Sequence, residues 1–149
     1  MRAVLQRVSG ARVVVDGSVT GEIGPGIVAL IAVGREDVLA TASAMAEKIV
    51  NLRIFGDEQG KMNRSVLDTE GAILAISQFT LYGDARGQRR PSFIQAAPPE
   101  LGKALYDEFV LRLRALGVHV ETGVFQTHMS LELTNDGPVT ILLDSDKTF

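Results

Sequence analysis

Apolar and polar positions alternate from residue 2 to residue 8, placing Ala3, Leu5 and Arg7 on one face of an extended chain and Val4, Gln6 and Val8 on the other, until Ser9-Gly10 breaks the run. Arg12 to Val15 is a second β-branched stretch, Asp16-Gly17 is a two-residue hairpin signal, and Ser18 to Ile23 reads as the returning strand. Gly24-Pro25-Gly26 makes a turn, and the unbroken apolar run from Ile27 to Val33 is that of a buried strand. From Asp37 to Asn51 the period changes. Val38, Ala42, Met45, Ala46, Ile49 and Val50 recur at helical spacing, and Glu36 and Asp37 lie where a helix dipole favours acid.

Leu52 to Phe55 reads as a short strand, and residues 56–60 form a turn that carries Lys61, Asn63 and Arg64 to solvent. Ser65 to Gly71 is a loop, and Ala72 to Ile76 a buried strand. Pro98-Pro99-Glu100 can open a helix, because proline is tolerated in the first turn; Leu101 to Leu116 keeps apolar residues at 101, 105, 109, 113 and 116, and Gly117 ends it. Three closing strands follow, Val118 to Thr122, His128 to Thr134 and Val139 to Leu143, the last pair joined by Asn135-Asp136-Gly137-Pro138. The pattern predicts an α+β fold: a mostly antiparallel sheet or barrel with two covering helices.

With 149 residues and no low-complexity segment, residues 1–149 are expected to form a single domain. No apolar run approaches the roughly 18 residues needed to span a bilayer, and the opening segment lacks the apolar core and cleavage site of a signal peptide, so a cytoplasmic location is expected. Zero cysteines exclude disulfides, thiolate catalysis and zinc–thiolate sites, and two well-separated histidines form no ligand cluster, so neither a metal nor a cofactor is expected. A net charge of −3 argues against broad nucleic-acid binding but leaves room for a local basic patch.

That patch lies in the most unusual stretch of the chain, SQFTLYGDARGQRRPSF at 77–93, which follows the buried strand ending at Ile76. Hydroxyl and amide groups crowd the point where the strand leaves the core, and such a point can offer backbone N–H donors to a ligand. Arg86, Arg89 and Arg90 stand ready either to hold a phosphate or to solvate a loop. Asp84 reads as a turn cap rather than a base. Both histidines, His119 and His128, fall in expected strands, and no Ser-His-Asp arrangement, Walker loop or dinucleotide fingerprint is present. With few side chains able to move a proton at neutral pH, a catalyst here must use positioned backbone dipoles and its substrate's own groups, which suits an activated ester better than an amide.

SQFTL at 77–81 together with NDGPVT at 135–140, in that order, resembles the signature pair of the D-aminoacyl-tRNA deacylases. The opening QRVSGARVVVDG, the GEIGPG turn, RIFGDEQGKMN at 53–63 and RRPSF at 89–93 extend the resemblance over the whole chain. It implies a homodimeric editing enzyme, without cofactor, that hydrolyses the ester joining a D-amino acid or glycine to the terminal 3′ adenosine of an aminoacyl-tRNA. By that likeness Ser77, Gln78 and Phe79 line the pocket and offer backbone N–H groups to the carbonyl, the adenosine 2′-hydroxyl assists, and Thr80 matches a position considered for a covalent nucleophile. With no histidine or lysine beside it in the motif, Thr80 is expected to orient rather than attack.

Gly137-Pro138 resembles the family's chirality filter, a cis pair that one subunit inserts into the other's pocket; read without the resemblance, the same residues suit an ordinary turn between two strands. Phe125 and Met129 match positions around the terminal adenine, or else are core residues of a strand pair. Between them this chain has Gln126-Thr127-His128 where the family usually has small residues. A non-catalytic nucleic-acid-binding protein of the same fold is the alternative reading of the whole.

Overall fold

The computed structural model describes residues 1–149. Its elements in chain order are β1 (Arg2–Val15), β2 (Ser18–Ile23), β3 (Gly26–Ala32), α1 (Leu39–Val50), β4 (Phe55–Gly56), β5 (Met62–Arg64), β6 (Ala72–Ser77), a 3-10 turn (Phe79–Tyr82), α2 (Pro99–Ala115), β7 (His119–Thr122) and β8 (Ser130–Asp144). The main sheet has the order β2-β1-β3-β6-β7, with β8 on the other edge of β1, while β4 and β5 form a separate hairpin. β1 pairs antiparallel with β2, β3 and β8, and β3-β6 and β6-β7 are parallel. The parallel pairs follow from α1 and α2, each of which lies in the crossover between two neighbouring strands. The sheet is mostly antiparallel and carries two α-helices, as the patterning predicts.

β1 organises this sheet, and it does not break at Ser9-Gly10. It buries Ala3 and Leu5, then changes phase and buries Val8, Ala11 and Val13. The register with β8 explains the change. Val8 is opposite Asn135 and Gly10 opposite Thr134, so Ser9 is an extra residue absorbed as a bulge.

A larger irregularity lies next to it. Gln6 pairs with Thr140 and Val8 with Asn135, so residues 136–139 of β8 face Arg7 alone and bulge out of the ladder. The two closing strands expected at 128–134 and 139–143 are therefore one strand, and Asn135-Asp136-Gly137-Pro138 does not reverse the chain. Pairing with a continuous β1 on both sides of the bulge overrides the local turn signal. The Gly137–Pro138 peptide is cis, and the Asn135 side chain closes the bulge by accepting the Val139 amide at 3.0 Å.

β3 and β6 are buried on both faces, which accounts for their unbroken apolar runs. Ile27, Ala29, Ile31, Ile73 and Ala75 meet Met45, Ile49, Leu105, Phe109 and Leu113 of the two helices in the larger core. Val28, Leu74 and Ile76 face the opposite way, onto Val8, Val13 and Ile23. The sheet curls around this smaller core until β2 lies against the end of β7, where a Cβ on Gly21 would sit 2.6 Å from the Thr122 carbonyl oxygen.

Two expectations about local roles change. Asp37 does not serve the α1 dipole; it is buried ahead of the helix, where its carboxylate accepts from the Met1 amine at 2.6 Å and from the Gly34 amide at 2.6 Å. The first turn of α1 instead has Thr41 Oγ1 accepting from the Val38 amide. His128 is not in a strand but in the loop before β8, whereas His119 is in β7, exposed and 2.9 Å from Glu121.

Candidate active site

β6 delivers the polar stretch. Its last residue, Ser77, is opposite Ile31 in β3, and the Gln78 amide continues that pairing by donating to the Ile31 carbonyl at 2.7 Å. The chain then tightens into the 3-10 turn, closed by Leu81 N–H to the Gln78 carbonyl and Gly83 N–H to the Thr80 carbonyl. The first amides of a helical turn have no partner within it, and neither Phe79 nor Thr80 donates in any of the turn and loop hydrogen bonds. Two N–H groups are thus presented side by side at the end of a rigid strand.

The first of these residues, Phe79, borders a cavity of about 740 Å³ lined by 18 residues, 11 of them hydrophobic. Ser77, Gln78 and Phe79 line one side and Phe125 and Met129 another, so the two groups named from sequence share one cavity. Phe79 is more than half exposed and meets Phe93 edge-on at 5.1 Å, forming an apolar lip. Gln126, Thr127 and His128, the segment that departs from the family pattern, are also on the wall, and Gln126 has a positive φ of 60°. Pro99, Gly102 and Tyr106 close the cavity from α2.

Thr80 lies outside the lining; its hydroxyl accepts a hydrogen bond from the Gln78 side-chain amide. That contact orients Gln78, and no base is bonded to the hydroxyl. Phe125 lies 6.2 Å from the Tyr106 ring, on the border of the larger core.

The arginines separate. Asp84 holds Arg86 through Nε at 2.9 Å and Nη2 at 2.7 Å and also accepts its amide, so Asp84 is a turn cap, and these bonds hold its carboxyl well below the usual carboxylate range. Backbone bonds in both directions between Asp84 and Ser92, each 2.8 Å, close the loop on which Arg89 and Arg90 are exposed. None of the three arginines lines the cavity.

Gly137 and Pro138 do not line it either; both are exposed on the β8 bulge. Arg7 spans that bulge, donating to the Asp136 carbonyl at 3.0 Å and to the Ile54 carbonyl at 2.7 Å.

Sequence reasoning missed Tyr106 and two of the three arginines of β1, Arg2 and Arg7. Tyr106 is buried, donates to the Ala75 carbonyl at 2.8 Å, and burial pushes its hydroxyl pKa up. A polar-tipped residue next to the apolar stripe of α2 was the available signal. Arg7 alternates with apolar neighbours, which marked a strand but not the bulge it faces.

A pair of amides left unused at a strand's end, next to a largely apolar cavity and with no catalytic dyad, suits an activated ester. Residues 4–144 match the family model described as D-Tyr-tRNA(Tyr) deacylase, and the chain belongs to that family. Among its relatives, the D-aminoacyl-tRNA deacylase of Symbiobacterium thermophilum is 64% identical over 149 residues, which is all of this chain and 99% of that protein. The solved structure of a c-Myc DNA Unwinding Element Binding Protein superposes with a TM-score of 0.93 at 40% identity, covering 97% of this chain and 99% of that one. A probable eukaryotic D-amino acid tRNA deacylase shares the fold, with a TM-score of 0.82 at 20% identity over 95% of this chain and 97% of its own.

Proposed function

We propose that this chain hydrolyses the ester of D-aminoacyl-tRNA, and of mischarged glycyl-tRNA, to free amino acid and tRNA. The observation that carries the reading is the shared cavity: Ser77, Gln78 and Phe79 line it together with Phe125 and Met129, and the amides of Phe79 and its neighbour Thr80 are left unused by the turn, so a terminal adenosine against the apolar wall brings its ester towards them. Water adds to the ester carbonyl carbon, the two N–H groups receive the developing oxyanion, and the 3′-oxygen leaves with a proton relayed through the neighbouring 2′-hydroxyl. No side chain of the protein needs to change protonation state.

Selectivity in this reading comes from a second copy of the chain. Gly137 and Pro138 are exposed and absent from their own cavity, which supports their entering a partner's, where backbone collides with an L side chain but leaves a D side chain or glycine room. A homodimer follows, acting in the cytoplasm where aminoacyl-tRNA is made, with residues 1–149 as one functional unit. Arg89 and Arg90 form the rim for tRNA phosphates.

The test incubates purified protein with D-tyrosyl-, L-tyrosyl- and glycyl-tRNA and follows release of free tRNA, with light scattering for the dimer. Loss of the D- and glycyl-esters alone is expected. A second reading, binding without turnover, draws on the likeness to a DNA-element-binding protein and on the same arginine rim; binding with no ester lost would establish it instead.

A further inference from the structure

The 79–82 turn must hold two amides steady, yet its own hydrogen bonds leave the Leu81 carbonyl without a partner inside the turn. That partner comes from β1. Arg2 Nη1 donates to the Leu81 carbonyl at 3.1 Å, and the guanidinium lies over the Tyr82 ring at 4.6 Å. Tyr82 is buried, and it is pressed so closely on Gly34 that a Cβ there would sit 2.6 Å from the Tyr82 hydroxyl. One guanidinium therefore grips the turn at two consecutive residues.

The guanidinium is itself fixed by residues 144–149. Its Nε is 3.4 Å from Asp144 Oδ2, a carboxylate only 1% exposed; Nη2 donates to Thr148 Oγ1 at 3.5 Å; and the Phe149 ring lies 5.6 Å from its centre. Thr148 in turn donates to Asp144. Side chains that never reach the cavity thus bear on the turn that borders it.

We propose that Arg2 is a positioning residue for the hydrolysis: held by residues 144–149, it fixes the Leu81 carbonyl and the Tyr82 ring so that the Phe79 and Thr80 amides converge on the ester oxygen. This role rests on the proposed deacylase function. Because the amides act through geometry, losing the grip reduces the chemical step and leaves adenosine binding at Phe125 and Met129 intact.

The experiment compares Arg2→Met and Arg2→Lys in single-turnover deacylation of D-tyrosyl-tRNA, at a temperature where circular dichroism shows each variant folded, with the Kd of an amide-linked, non-hydrolysable analogue measured alongside. Arg2→Met is expected to slow the chemical step about tenfold and to leave Kd within about twofold, while Arg2→Lys, whose ammonium still reaches Leu81, recovers most of the rate. Hydrogen–deuterium exchange of the segment 77–84 reads the grip without catalysis: exchange rises in Arg2→Met and not in β3. Should Arg2→Met fail to fold, Thr148→Val/Phe149→Ala loosens the guanidinium and is expected to give a smaller fall of the same kind. An unchanged chemical step, a loss in Kd alone, or unchanged exchange at 77–84 overturns the proposal. An inactive parent protein overturns the function reading, and the exchange result still decides whether Arg2 holds the turn.

Discussion

Thr80→Ala separates backbone catalysis from side-chain attack. The substitution keeps the Thr80 amide and removes a hydroxyl whose observed bond is to the Gln78 side chain. That bond is exposed and joins two neutral groups, so its net worth is about 0.5–1 kcal/mol, and loosening Gln78 should slow deacylation about two- to fivefold. If Thr80 were a nucleophile, the loss would be roughly 10³-fold or more, as when an acyl-accepting side chain is removed from a hydrolase. Single-turnover release of D-tyrosine with enzyme in excess reads the chemical step directly, and acid quenching of the parent reaction asks whether labelled tyrosine becomes attached to protein. A fall beyond a hundredfold in a correctly folded Thr80→Ala, or a trapped acyl-protein that the substitution abolishes, refutes the backbone mechanism.

Gly137→Ala should lower the preference for D- over L-tyrosyl-tRNA, because φ is +136° there and a Cβ would stand 2.8 Å from Val139 Cγ2 and 3.1 Å from Arg7 Nη2, forcing the bulge to shift; an unchanged ratio of the two rates counts against the filter. Arg89→Ala and Arg90→Ala are each expected to reduce the salt slope of log Kd for the non-hydrolysable analogue by about 1, and Arg86→Ala by less since Asp84 already holds it, as filter binding across a salt series will measure. Tyr106→Phe removes a buried bond to Ala75, whose carbonyl keeps only a 3.4 Å contact from the Gly123 amide; about 1 kcal/mol of stability, or about 3 °C in Tm, should be lost in thermal unfolding while the chemical step stays within about threefold.

What could be read from sequence divides by the range of the forces involved. Ser77, Gln78 and Phe79 were legible because a buried strand ending in a polar cluster is a local contradiction, and strand β6 does deliver them to the cavity wall. The paired helices were legible from period. The β8 bulge was not: Asp136-Gly137-Pro138 carries every local sign of a chain reversal, and only pairing with β1, far away in sequence, keeps the strand running through it. Arg2 and Tyr106 escaped for the same reason. Each answers a backbone carbonyl, Leu81 or Ala75, whose need for a partner is invisible until the chain has folded.

The long pairing of β1 with β8 has a consequence for how the chain is made. β1 leaves the ribosome ahead of the other strands and soon finds β2 and β3, but its remaining edge is completed only by residues 130–144, so it stays open through most of synthesis. An open edge of this length is a template for any other extended chain. The charges of Arg2, Arg7 and Arg12, which have no fixed partners until the chain has folded, therefore guard a nascent intermediate as well as ordering the finished molecule, and protease sensitivity of β1 in stalled chains should persist until residue 144 has emerged.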